Sequence, residues 1–95
     1  MTAYVVVDID VTDPVRYDQY KALAQIAIPA HGGTYLARGG RTQVLEGSWN
    51  PKRLVVLRFD SLEAAAEWHR SSDYGAAIAA RTGAADVKMV AVEGA

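Results

Sequence analysis

The chain contains no cysteine, and this absence excludes several kinds of chemistry. Without thiols there is no disulfide framework, no thiolate nucleophile and no zinc site built on cysteine ligands. The two histidines fall on separate predicted elements and form no metal motif, so we expect no metal site. The lack of cysteine also fits a reducing compartment, and we expect a cytoplasmic protein.

The chain also lacks an excess of either charge, since it has ten basic and eleven acidic residues and a net charge of −1. No basic block is longer than Pro51-Lys52-Arg53, so we expect no nucleic-acid partner and no anionic membrane partner. No apolar run approaches the ~18 residues of a membrane span, and Asp8 and Asp10 interrupt the first one, so we expect no targeting segment. We expect a single domain over residues 1–95, whose modest core would benefit from a partner subunit.

The most informative stretch runs from His31 to Gly40, where two glycine pairs bracket five alternating residues. The first pair follows a helical pattern and predicts a helix end, because glycine readily adopts the left-handed conformation found there. The residues between the pairs predict a strand, Thr34–Arg38, and the second pair predicts a turn or bulge. His31 and Arg38 stand at the two ends of this strand.

The other elements follow from periodicity and capping residues. Ala3–Val11 predicts a central strand with one apolar face, and Asp13 and Pro14 predict the start of a helix that Pro29 ends or kinks. Glycine at position 39 suggests a bulge, after which the strand would continue, bent, over Thr42–Gly47. The remaining predicted elements are a strand at Leu54–Phe59, a helix at Leu62–Ser71, a short helix at Tyr74–Arg81 capped by Ser72-Asp73, and a strand at Asp86–Glu93.

The resulting order, β-α-β-β-α-β, predicts an α+β, ferredoxin-like fold with an antiparallel sheet in the order 4-1-3-2 and two helices on one face. Charge and pattern also predict the register of the central strand. The expected pairs are Asp8 with Lys88, Val6 with Val90 and Val56, and Tyr4 with Val92. The face of the sheet away from the helices would then be apolar, and we expect it to form a homodimer.

His31 and Arg38 are the candidate catalytic residues. His31 would act as an acid or base beside a pocket, and Arg38 would stabilise an anionic intermediate. Each also has a structural interpretation, since His31 could complement the end of a helix dipole and Arg38 could protect a sheet edge. At ~3.3 Å per residue the two lie roughly 20 Å apart, which argues against contact with one substrate. His69 is interpreted as structural.

Large rings among small alanines predict a cavity between the helices and the sheet, because such helices fill the space unevenly. We expect this cavity to bind a small molecule. The candidate binding residues are Tyr17, Tyr20, Glu46, Trp68 and Tyr74. Glu46 could also pair with Arg38 or Arg41 across the predicted bend, as an exposed salt bridge that would stabilise little.

Four stretches carry a family resemblance: HGGTYLARGG at 31–40, LEGSW at 45–49, FDS at 59–61 and SSDY at 71–74. In these the chain resembles the domain of unknown function 1330 family over nearly its whole length. Members are similar to the dimeric α/β-barrel superfamily, in which two ferredoxin-like subunits pack their open sheet faces together. That superfamily includes cofactor-free monooxygenases, muconolactone isomerases and relatives of chlorite dismutase.

The resemblance implies a fold and an assembly, and it leaves two classes of function open. One is a cofactor-independent enzyme, monooxygenase-like or isomerase-like, that acts on a small organic substrate. The other is a non-catalytic ligand-binding or structural homodimer. Neither class requires a cofactor, and we expect none.

Overall fold

The computed structural model describes all of residues 1–95 and contains four strands and three helices. In chain order these are β1 (Ala3–Val11), α1 (Pro14–Ala30), β2 (Thr34–Arg38), β3 (Arg53–Phe59), α2 (Leu62–Arg70), α3 (Ser72–Arg81) and β4 (Ala85–Glu93). The strands form one antiparallel sheet in the order β2-β3-β1-β4, which is the predicted order 4-1-3-2 read from the opposite edge. None of the helices is long and apolar enough to cross a membrane.

The register of β1 agrees with the prediction. The observed pairs include Asp8 with Lys88, Val6 with both Val90 and Val56, and Tyr4 with Val92. Cross-strand pairs of this kind contribute about 0.2–1 kcal/mol each. Because side chains alternate along a strand, the register places Val6 and Asp8 on the face away from the helices and Val5 and Val7 on the face toward them.

The helix-covered face of the sheet holds the core. Val5 and Val7 of β1 retain only 2% and 3% of their exposure, and the predicted apolar face of β3, Val55, Leu57 and Phe59, is buried as well. Residues from α1, α2 and α3 complete one contiguous cluster over these strands. The core is therefore built within a single chain.

The opposite face of the sheet carries no helix, and we call it the open face. Its apolar residues are Tyr4, Val6, Val56, Val90 and Val92, and Asp8, Arg58 and Lys88 lie among them as charged residues. Val90 is 62% exposed and Val92 is 53% exposed. The open face is thus an apolar surface that the single chain leaves in contact with water.

Both ends of α1 follow the predicted capping chemistry. The Asp13 carboxylate accepts a hydrogen bond from the Arg16 amide at 3.2 Å, and Pro14 is the first helical residue. At the other end Gly32 has a φ of +80°, its amide donates to the Pro29 carbonyl, and the Gly33 amide donates to the Ile28 carbonyl. This double hydrogen bond satisfies carbonyls that a helix end would otherwise leave unpaired.

The second helical region forms two helices, α2 and α3, close to the predicted ones, and the face therefore carries three helices rather than the two expected for the fold. The Ser61 hydroxyl caps α2 by accepting from the Ala64 amide at 3.0 Å. Ser71 ends α2 and its hydroxyl caps α3 by accepting from the Tyr74 amide at 3.3 Å. The predicted cap at Ser72-Asp73 therefore lies one residue too late.

The predicted strand at Thr42–Gly47 was wrong, since β2 ends at Arg38 and residues 39–52 form no regular structure. Gly39 has a φ of +69° and donates its amide to the Leu54 carbonyl, which turns the chain at this point. β3 begins only two residues before Val55, the partner of Arg38, so a continuation of β2 would have almost no strand to pair with. One side-chain hydrogen bond joins this segment to the sheet, from the Trp49 indole N–H to the Asp8 carboxylate at 2.9 Å.

Candidate functional site

A cleft lies between α1, α3 and the helix-covered face of the sheet. Its aromatic lining consists of Tyr17, Tyr20, Tyr35, Trp68 and Tyr74, and its charged lining consists of Lys21, Arg38 and Arg53. The free space inside is about 20 Å³. This is room for about one water molecule, so the cleft is closed by its own side chains.

The structure brings together the four aromatic residues that the sequence singled out, Tyr17, Tyr20, Trp68 and Tyr74. The rings of Trp68 and Tyr74 lie 4.2 Å apart, and those of Tyr17 and Tyr20 lie 5.2 Å apart. The Tyr20 and Tyr74 hydroxyls are 2.8 Å apart and share a buried hydrogen bond. These contacts fix the orientation of one wall of the cleft.

Two N–H groups that are buried and lack a hydrogen-bond partner belong to residues that line the cleft. They are Nε1 of Trp68 and Nε of Arg53. The Trp68 side chain is almost fully buried, at 1% exposure. A buried donor without an acceptor costs about 1–3 kcal/mol, so native proteins rarely leave one unpaired without a reason.

Arg38 and Tyr35 of β2 cover the opening of the cleft. The Arg38 guanidinium lies 4.5 Å from the centre of the Tyr35 ring and donates to the Gln25 side-chain carbonyl at 3.0 Å. Arg38 is exposed and Tyr35 is half-buried. The cover is therefore held by one exposed hydrogen bond and one stacking contact on an edge strand.

Two tyrosines of the cleft, Tyr17 and Tyr20, have a raised pKa, which favours their neutral forms. Burial raises the pKa of Tyr20, and the neighbouring Tyr74 hydroxyl raises it further. Burial also raises the pKa of Tyr17, against the opposing effect of the nearby Arg53, Arg81 and Lys21 cations. The hydroxyls consequently remain protonated donors over the physiological pH range.

His31 does not line the cleft. It is the C-terminal cap residue of α1, and its Nε2 lies 2.9 Å from the Asp73 carboxylate in the first turn of α3. The Ser71 hydroxyl and then His31 hold the pKa of Asp73 below its usual value. The contact joins the end of α1 to the start of α3, and the catalytic role of His31 stays a prediction.

Glu46 also lies away from the cleft, in the exposed segment 39–52. It forms no salt bridge with Arg38 or Arg41. Its neighbours are Val44, Leu45 and Trp49 in a shallow surface depression. The structure thus separates Glu46 and His31 from the five candidate residues that it brings together, Tyr17, Tyr20, Arg38, Trp68 and Tyr74.

Sequence reasoning missed three residues of the cleft, namely Lys21, Tyr35 and Arg53. Arg53 is the first residue of β3 and lies two and four residues before Val55 and Leu57. The alternation of the strand therefore predicts that its side chain points to the same face as theirs. Lys21 follows Tyr17 by four residues and shares its helix face. Tyr35 pairs with Leu57, a contact that only the sheet register reveals.

The fold places the chain among ferredoxin-like α+β proteins. It resembles a protein of unknown function from Rhodopseudomonas palustris, with 16% identity, a TM-score of 0.78, and coverage of 99% of this chain and 82% of the other. A dimeric ferredoxin-like protein of unknown function from Thermobifida fusca is 18% identical, with a TM-score of 0.64 and coverage of 97% and 90%. At these identities the likeness establishes the fold.

A further structural neighbour is SnoaB, a cofactor-independent oxygenase from Streptomyces nogalater, at 9% identity, a TM-score of 0.66 and coverage of 99% and 93%. No curated protein matches the chain. The profile of the domain of unknown function family DUF1330 matches residues 2–95. The chain therefore belongs to the DUF1330 family, as its sequence motifs indicated.

Proposed function

We propose that this protein is a homodimer that binds a small organic molecule in the cleft between α1, α3 and the sheet. The observation that carries the proposal is the pair of buried, unpartnered donors, Trp68 Nε1 and Arg53 Nε, on side chains that line one cleft. A bound molecule with oxygen acceptors would satisfy donors that the chain itself leaves unpaired.

Binding requires the cleft to open, because its free space of about 20 Å³ admits little more than a water molecule. The movable part is the cover formed by Arg38 and Tyr35. Releasing Arg38 breaks one exposed hydrogen bond to Gln25, which contributes about 1 kcal/mol. Rotation of these two side chains would expose the aromatic wall without unfolding an element of the fold.

The homodimer would form through the open face. Its valines are exposed in the single chain, and the Thermobifida fusca neighbour with the same fold is described as dimeric. Pairing two such faces would bury apolar surface in an isologous contact. The charged residues Asp8 and Lys88 lie opposite each other in the register of β1 and β4 and would lie within or beside that contact.

A cofactor-independent reaction at the same cleft is the catalytic form of this proposal. The unpartnered donors would stabilise negative charge that develops on a substrate oxygen, which is how such sites lower a barrier. The likeness to a cofactor-independent oxygenase supports this direction through the fold alone. Arg38 and Trp68 would contact the substrate, whereas His31 would need to reach it from outside the cleft.

The second candidate is a structural homodimer without a ligand, and the small free volume of the closed cleft favours it. Tryptophan fluorescence separates the two. The chain has two tryptophans, so Trp49→Phe leaves Trp68 as the only one. We expect members of a panel of small phenols, aromatic acids and aromatic amides to change Trp68 emission and raise the melting temperature.

The matched variant for this experiment is Trp68→Phe, which keeps an aromatic ring and removes the unpartnered N–H. We expect it to weaken the thermal shift that the same compounds produce, while Trp49→Phe alone leaves that shift unchanged. If no compound changes either signal, the structural homodimer is the better description. Product analysis of any binding compound then decides between a binder and an enzyme.

A further inference from the structure

The cleft is lined by three cations, Lys21, Arg38 and Arg53, and by no carboxylate. Lys21 forms a salt bridge with Asp18 at 3.0 Å, whereas neither arginine has a carboxylate partner. The whole chain has a net charge of −1, so this is a local excess of one sign rather than a general property. Arg53 is half-buried without a counter-charge, and a cation in such a position contributes little to the stability of its own fold.

The two arginines of the cleft make only neutral contacts. Neither Arg38 nor Arg53 forms a salt bridge. Arg38 contacts the Gln25 amide and the Tyr35 ring, and Nε of Arg53 has no partner at all. A guanidinium matches a carboxylate through two parallel hydrogen bonds, and neither arginine of the cleft faces a carboxylate.

The field of these cations reaches the interior of the cleft. Burial raises the pKa of the Tyr17 hydroxyl, and Arg53, Arg81 and Lys21 oppose this effect, Arg53 most strongly. Arg81 itself lies 5.1 Å from the centre of the Tyr20 ring. Positive potential therefore coincides with the aromatic wall.

We propose that the ligand of the cleft is a small planar organic anion, of which aromatic carboxylates are the simplest members. Its negatively charged oxygens would accept from Arg53 and Arg38 at the mouth, and its ring would lie against Tyr17, Tyr20 and Trp68. This inference rests on the proposed function, since it names the class of molecule that the same cleft takes.

The test compares benzoate with benzamide, which have nearly the same shape and differ in charge. Calorimetric titration of the wild-type protein gives the affinity of each. We expect benzoate to bind at least about tenfold more tightly, since hydrogen bonds to a charged partner are roughly twice as strong as neutral ones. We also expect added salt to weaken benzoate binding and to leave benzamide binding unchanged.

Three arginine variants locate the effect. We expect Arg53→Met to reduce benzoate affinity about tenfold while benzamide binds as before. Arg38→Met, at an exposed position on an edge strand, should act in the same direction and covers the case in which the Arg53 variant does not fold. Arg41→Met, in the exposed segment outside the cleft, is the matched control and should change neither affinity.

The results of these titrations separate a failure of the anion inference from a failure of the proposed function. Equal binding of benzoate and benzamide, or a loss that is the same in Arg41→Met, overturns the anion inference and leaves a ligand-binding cleft. Failure of both compounds and of the whole phenol, acid and amide panel overturns the inference and the proposed function together. Preferential binding of benzoate that depends on Arg53 or Arg38 supports both.

Discussion

The cleft and the open face lie on opposite sides of the same sheet, and each lacks a different kind of partner. Val7 and Ile9 of β1 line the cleft, whereas Val6 and Asp8 of the same strand belong to the open face. The cleft is narrow, aromatic and rich in donors without acceptors, which suits a small polar ligand. The open face is broad and rich in exposed valine, which suits a second protein surface.

The comparison shows how one strand can serve two purposes. Alternation sends successive side chains to opposite faces, so neighbouring valines experience different environments and different consequences of substitution. On the covered side the packing partners belong to the same chain, and a substitution there acts on stability. On the open side they would belong to another copy, and a substitution there acts on assembly.

The largest effect is expected on the open side, from Val6→Asp. An isologous contact would bury two such charges without partners, at several kcal/mol each, and should weaken the dimer about a thousandfold or more. Light scattering after size-exclusion chromatography measures the mass. Val15→Asp is the matched control, since Val15 is 76% exposed on α1 and should not affect assembly. A dimeric Val6→Asp protein would place the interface elsewhere.

On the covered side, Gly33→Ala should destabilise each chain. A Cβ at Gly33 would lie 2.7 Å from Phe59 and Ile28 atoms, so the core must shift, at about 1–3 kcal/mol. Urea denaturation measures the free energy of unfolding. Gly40→Ala meets no atom within 4 Å and has no positive φ, so it should change stability little. Equal effects of the two substitutions would contradict the close packing of Gly33 against Phe59 and Ile28.

Within the cleft, the Tyr20 and Tyr74 hydroxyls offer a smaller and more specific test. Tyr20→Phe or Tyr74→Phe alone leaves one buried hydroxyl without its partner, so we expect each to cost about 1–2 kcal/mol. The double substitution should cost less than the sum, because removing both hydroxyls leaves neither unsatisfied. Additive effects would mean that the two hydroxyls act independently.

The smallest effect concerns Asp73, whose pKa is lowered in the folded chain by the Ser71 hydroxyl and by His31. A lowered pKa means that the carboxylate stabilises the fold above its unfolded value of 3.8, and that this stabilisation is lost as pH falls through the folded value. Asp73→Asn should therefore be less stable than wild type at neutral pH, and the difference should shrink in acid. Glu67→Gln, at an exposed position on α2, is the matched control.

Much of the fold was predictable because its signals are local. Alternation in Ala3–Val11 and the capping residues Asp13, Ser61 and Gly32 each report on their own neighbourhood, and the cross-strand register followed from charge and pattern. Thr42–Gly47 was mispredicted for the opposite reason. Its alternation was weak, and only the observed register shows that β3 begins two residues before Val55, the partner of Arg38, which leaves a continuation of β2 almost no strand to pair with.

The candidate site was predictable in part. Tyr17, Tyr20, Trp68 and Tyr74 stood out as large rings among alanines, and packing the helices on one face brings them together. The contact of His31 with Asp73 spans 42 residues and depends on how the end of α1 meets the start of α3. No local sequence pattern predicts such a contact, because it arises from tertiary packing.

The most direct test of the account is sedimentation equilibrium of the wild-type protein at micromolar concentration. If the open face is buried against a second copy, as we propose, the mass is twice the 10.2 kDa of one chain. A mass of 10.2 kDa at all concentrations would contradict it, because the exposed valines of β4 would then be in contact with water in the working protein.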